Sequence, residues 1–199
     1  MFRGRTVAGI DLGSPSTWAG IPLEPDGVGQ IEDVVATLDT ASLDAEGTSA
    51  LVESITQVHQ DLTQQPAAAL GVWVARSEQP TVTGILVVTR IVEDEGIDVT
   101  PKWTRRILAG RDLDGWGITD TEVVEEPLRA GPSVRVTDLV AIDDGPNRLR
   151  RRYIVFPRRT KEALDLAFET IAAKELAEEF LLDAEAIAHS LRVQTAKAP

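Results

Sequence analysis

The sequence predicts an α+β fold, a mostly antiparallel sheet of about six or seven strands sandwiched by helices. Three observations carry this. Residues 48–64 and 174–191 repeat apolar side chains at helical spacing. Four consecutive stretches between residues 119 and 170 read as strands separated by Gly, Pro, Asp and Asn clusters. The order of elements is strands, helix, two strands, short helix, four strands, helix.

Residues 1–46 form a loose acidic segment with short strands, including the apolar stretch Trp18 to Leu23 and a helical turn at Ile31 to Leu38. The first strong helix follows over Thr48 to Gln64, where Leu51, Ile55, Val58 and Leu62 share a face. Thr48 or Ser49 can cap its free amides, and Pro66 ends it. Ala69–Arg76 and Thr81–Val92 read as strands around a polar turn, Ser77–Pro80. The run Ile85-Leu86-Val87-Val88 is apolar on both sides, so its strand belongs at the centre of the sheet.

Thr100 caps a short helix with Pro101 at its first position, Trp103 and Ile107 form its inner face, and Gly110 stops it. A turn over Arg111 to Gly117 carries Trp116. Strands follow at Thr119–Glu125, Ser133–Ile142, Arg148–Phe156 and Glu162–Thr170. In the last, Leu164, Leu166 and Phe168 alternate with Asp165 and Glu169, which buries one face. The closing helix, Lys174 to Leu191, aligns Leu176, Phe180, Ala184, Ile187 and Leu191 to pack over that strand. Residues 194–199 read as a frayed tail. The length of 199 residues suits a single domain over 1–199.

Composition narrows the function. There is no cysteine, which excludes thiolate zinc sites, iron–sulfur clusters and cysteine nucleophiles. With 20 basic against 32 acidic residues the net charge is −12, unsuited to general nucleic-acid or anionic-membrane binding. No apolar run near Met1 is long enough for a secretory signal, which implies a cytoplasmic location. The charge is uneven. Residues 6–75 carry acids and no base, whereas Arg148, Arg150, Arg151, Arg152, Arg158, Arg159 and Lys161 gather without an acid. Either the two regions face each other or lie solvated, or the basic cluster docks an acidic partner.

At the C-terminal end, three runs stand in sequence: Arg152-Tyr153-Ile154-Val155-Phe156, Ala163 to Phe168, and Phe180 through Ala184 to Val193. This pattern resembles the ending of PsbP-like proteins, over about 40 residues. The resemblance implies an α/β/α sandwich and a non-catalytic protein-binding module, an adaptor or chaperone-like protein, with no active-site residue or cofactor to carry over.

Chemistry-bearing motifs are few. Gly9 to Thr17 resembles the first phosphate loop of actin-like ATPases, but Pro15 removes an amide and no second loop follows, so a strand running into a turn explains it. A small nucleotide- or ligand-binding protein using this loop is the alternative function. His59 and His189 have no second histidine at metal-pair spacing; His59 reads as a polar flank residue and His189 as a helix C-terminal one. Asp112/Asp114 and Asp143/Asp144 lack further ligands, and no nucleophile elbow exists. No catalytic, cofactor or metal residue is therefore assigned.

Strand alternation places Arg148, Arg150 and Arg152 on one face. A simple hairpin loop at 143–147 would set Arg152 opposite Asp138 and leave Arg148 and Arg150 without partners. Arg148 and Arg150, with Trp116, are the candidate partner-binding residues, for an acidic protein or a second copy in a homodimer.

Overall fold

The computed structural model describes residues 5–38, 43–75, 81–92, 100–111, 117–141, 147–171 and 174–197. In chain order these form β1 (Arg5–Asp11), β2 (Trp18–Ile21), α1 (Ile31–Thr37), α2 (Ala45–Leu62), β3 (Ala69–Val74), β4 (Val82–Val92) and α3 (Pro101–Ala109). Then come β5 (Ile118–Pro127), β6 (Pro132–Val140), β7 (Arg148–Val155), β8 (Glu162–Ile171), α4 (Lys174–Ser190) and β9 (Arg192–Lys197). Seven strands make one antiparallel sheet in the order β2-β3-β4-β8-β7-β6-β5, and β1 pairs with β9 in a separate ribbon. No helix among the described residues is long and apolar enough to cross a membrane.

The layers follow from strand alternation. On one face Leu164, Leu166 and Phe168 of β8 join Trp73, Leu86, Val88 and Tyr153 under Phe180, Ala184 and Ile187 of α4, with Leu191 just beyond. The ribbon adds Val7 to the same core. On the other face Leu70, Val72 and Val74 of β3 pack against Leu51, Ile55 and Leu62 of α2 and Ile31 and Val35 of α1. Strand β4 lies between β3 and β8 and feeds both cores, as its doubly apolar run requires. Gly84 in β4 is fixed by close approach: a Cβ there would sit 3.1 Å from the Phe180 ring and 3.2 Å from Glu169 O.

Among the described residues of 1–46, the expected short strands and helical turn are β1, β2 and α1, with a 3-10 turn at Pro25–Gln30. Other expectations are corrected. Helix α2 begins earlier than Thr48, because Asp44 accepts a hydrogen bond from the amide of Gly47 and supplies the cap. His59 is not a flank residue. It is fully buried on the α2 stripe, with Nε2 3.1 Å from Glu24 O. Residues 194–197 are no frayed tail: Gln194 to Lys197 pair with β1, whose backbone supplies the hydrogen bonds that a lone polar segment lacks.

In α3 the cap and Pro101 stand as expected, with Thr100 Oγ1 accepting from the Trp103 amide. Its inner face does not. Thr104 is buried, whereas Trp103 and Ile107 point to solvent, 42% and 51% exposed. Small Thr104 lets the helix settle onto β5 and β6, and Arg111 anchors its far end, so the orientation is set from the sheet. The turn at Ser77–Pro80, Trp116, Asp112/Asp114 and Asp143/Asp144 lie outside the described residues.

Tyr153 is fully buried in the α4-side core, and its hydroxyl has no hydrogen-bond partner among the described residues. Burial foremost pushes the phenol up to about 12, with the nearby Arg151 charge opposing. Because the folded value lies above the unfolded one, near 10, this contribution to stability is complete below pH ~10 and is lost as the pH rises toward 12. Tyr153→Phe is expected to match or exceed wild-type stability at neutral pH, since it removes an unpaired buried hydroxyl. It should also flatten the alkaline limb of a stability–pH curve measured by urea unfolding. An unchanged alkaline limb would refute the assignment.

Candidate docking surface

Alternation along β7 sends Arg148, Arg150 and Arg152 to the face that carries α1 and α2, and Arg151 with Tyr153 to the α4 face. The observed register pairs Asp138 with Arg150, and Arg152 with Val136. The two strands remain paired to Val140 and Arg148, two residues short of the expected turn on β6 and level with it on β7. A shift of two keeps every side chain on its face but exchanges its partners.

Arg148 and Arg150 are therefore not unpartnered. Arg148 donates to Glu169 at 2.7 Å and Arg150 to Asp138 at 3.2 Å. Asp138, whose side chain is 1% exposed, also accepts from Thr121 Oγ1 at 2.7 Å and from the Arg111 guanidinium. Arg152 grips Asp165 with two parallel bonds, one from Nε at 3.2 Å. Burial pulls the Arg152 guanidinium down, but the bond to Asp165 and the charges of Asp165 and Asp138 outweigh it and hold the group above its ordinary value. These arginines thus take partners within the sheet, not from the acids of residues 6–75. Arg151 is buried on the far side, where it donates to Thr137 at 3.1 Å and to Leu181 O at 3.1 Å, tying α4 to β7.

Since Arg111 follows α3 and reaches Asp138, α3 lies on the same face as the arginine row. Between α2 and that row runs a cleft of about 320 Å³, walled by Leu62, Ile85 and Val87 and floored by Arg150, Arg152 and Asp165. On this face of the sheet four arginines (Arg111, Arg148, Arg150, Arg152) meet three carboxylates (Asp138, Asp165, Glu169). The excess is positive. On the adjoining outer face of α3, Trp103 and Ile107 stand four residues apart beside the exposed Lys102, Arg105 and Arg106. Arg105 makes an exposed ion pair with Glu125 at 3.3 Å. Sequence reasoning overlooked this surface. One signal was available: Val134, Val136 and Asp138 share a face, so a carboxylate continuing a buried stripe had to be ion-paired.

The Gly9–Thr17 loop is not arranged around a phosphate. The strands that flank it, β1 and β2, belong to different sheets. The Gly13 amide donates to Ser190 Oγ at 2.8 Å and the Thr17 hydroxyl to Asp183 at 2.5 Å, so two groups that could meet a phosphate are bonded to α4.

No family model and no curated protein matches the chain. Among solved structures it is similar to LpqN of Mycobacterium tuberculosis, described as involved in cell envelope biogenesis, with 11% identity. That alignment covers 96% of this chain and 90% of LpqN, at a TM-score of 0.51. It is also similar to cyanobacterial PsbP (CyanoP) from Synechocystis sp. PCC 6803, with 9% identity over 98% of this chain and 95% of that one, at a TM-score of 0.45. At such identities the likeness is one of fold. The likeness to LpqN is carried by an α+β fold with a mostly antiparallel sheet, the class the sequence predicts.

Proposed function

We propose that this chain is a non-enzymatic protein-interaction module that docks an acidic protein partner on α3 and the adjoining arginine row. The observation that carries the reading is the outward pair Trp103 and Ile107 on a helix that also exposes Lys102, Arg105 and Arg106. Exposed apolar clusters mark interaction sites, and Trp and Arg are favoured anchors of protein interfaces. The surrounding positive charge selects a partner with carboxylates beside its apolar contacts, and speeds the encounter. Arg148, half exposed at the end of the row, extends the same charge. Arg150 is less suited to contact, because it balances buried Asp138.

The test compares the wild type with Trp103→Ser/Ile107→Ser as bait in cell extract. Surface changes of this kind shift stability by about 0.5 kcal/mol or less, so thermal unfolding should stay near wild type. An acidic protein retained by the wild type should be lost from the double variant. If the double variant captures that protein equally well, α3 is not the docking surface. The nucleotide alternative has its own check: Mg-ATP is expected to leave the melting temperature unchanged, and an Asp11-dependent rise would favour it.

A further inference from the structure

We propose that Glu126, Glu185 and His189 hold a divalent metal ion of the zinc class at the seam between α4 and the end of β5. Glu185 and His189 lie one helical turn apart on α4, so they project from the same flank. Glu126 comes from the far end of β5, an edge strand. One ligand atom from each residue can be chosen so that all lie within 4.8 Å of one another. His189 Nε2 is 2.9 Å from Glu126 Oε1. That is a few tenths of an ångström below the ~3.3 Å separating two ligands bound ~2.0–2.1 Å from a tetrahedral ion.

The donor set chooses the ion. One imidazole nitrogen with carboxylate oxygens suits zinc and its neighbours, whereas calcium and magnesium take oxygen ligands. Two carboxylates supply negative charge for a dication, part of it offset by Arg135, whose Nε lies 3.0 Å from the second oxygen of Glu126 as an ion-pair contact. His189 and Glu185 are exposed, leaving room for water to complete the coordination. Bound there, the ion would fasten the C-terminal turn of α4 to the outermost strand of the sheet. This inference is independent of the docking reading.

The test uses the full chain stripped with a chelator, titrated with Zn²⁺ by calorimetry and with Co²⁺ by visible absorption. One ion per chain is expected, with a melting temperature that rises with Zn²⁺ and not with Mg²⁺. His189→Gln and Glu185→Gln should each weaken binding by about tenfold or more, with the far-ultraviolet circular dichroism unchanged. His59 is buried and far from the surface, so it cannot substitute. Absence of saturable Zn²⁺ binding overturns the proposal, and so does one-to-one binding that survives His189→Gln.

Discussion

Phe180→Ala is expected to destabilise the protein by about 3–5 kcal/mol, the range for deleting a buried aromatic ring from a core. Phe180 is fully buried in the core beneath α4. Its ring lies 5.2 Å from Trp73, edge to face, and 6.0 Å from Trp18, which itself meets Phe168 at 5.6 Å. Beneath it is the bare backbone of Gly84. Stiff indole rings and a sheet backbone cannot collapse into the space that the phenyl leaves, so most of the cavity cost persists. Urea unfolding followed by tryptophan fluorescence reads the loss directly. A midpoint near wild type would mean that α4 is not docked through Phe180.

The second large effect is electrostatic. Asp138→Ala is expected to cost about 3–5 kcal/mol, the range for removing one partner of a buried ion pair. The carboxylate is buried and joined to Arg111, Arg150 and Thr121. Its loss leaves two guanidinium groups close together, 14% and 23% exposed at the side chain, with no counter-charge between them. It also frees the anchor of α3. In a double-mutant cycle, Arg150→Met should recover part of the loss in the Asp138→Ala background, because it removes one of the stranded charges. Strict additivity of the two substitutions would show that the pair is not coupled. Wild-type stability of Asp138→Ala alone would remove the cluster from the structure's support.

How legible these features were depends on how local their causes are. Leu164, Leu166 and Phe168 could be placed from alternation alone, and the α4 stripe from its period, because each pattern needs only one buried side to exist. The α3 face could not be read that way. Trp103 and Ile107 are the larger apolar pair, and a helix considered alone would bury them. The sheet instead meets Thr104, while Arg111 is drawn to a carboxylate on β6. The arginine row was visible as a row, but its partners depended on whether β6 and β7 separate after Val140 or after Ile142. Turn residues do not state that choice.

By itself the sequence determined the α+β class, the order of strands and helices up to α4, the caps of α3 and the buried Leu164, Leu166 and Phe168 face of β8. All of these rest on residues within a few positions of one another, where propensity and period act directly. Only the tertiary structure decided the rest. Glu126 meets His189 because the sheet edge passes the end of α4. Arg192 to Lys197 becomes a strand because β1, nearly the whole chain away, offers its backbone. The ribbon is then tied to the main sheet where the Val7 amide donates to Glu162 and Arg90 donates to Val7 O. The segment RVQTAK has little apolar content to signal burial. Its strand exists because the chain brings it a partner, and unpaired backbone polar groups gain most where one is already in place.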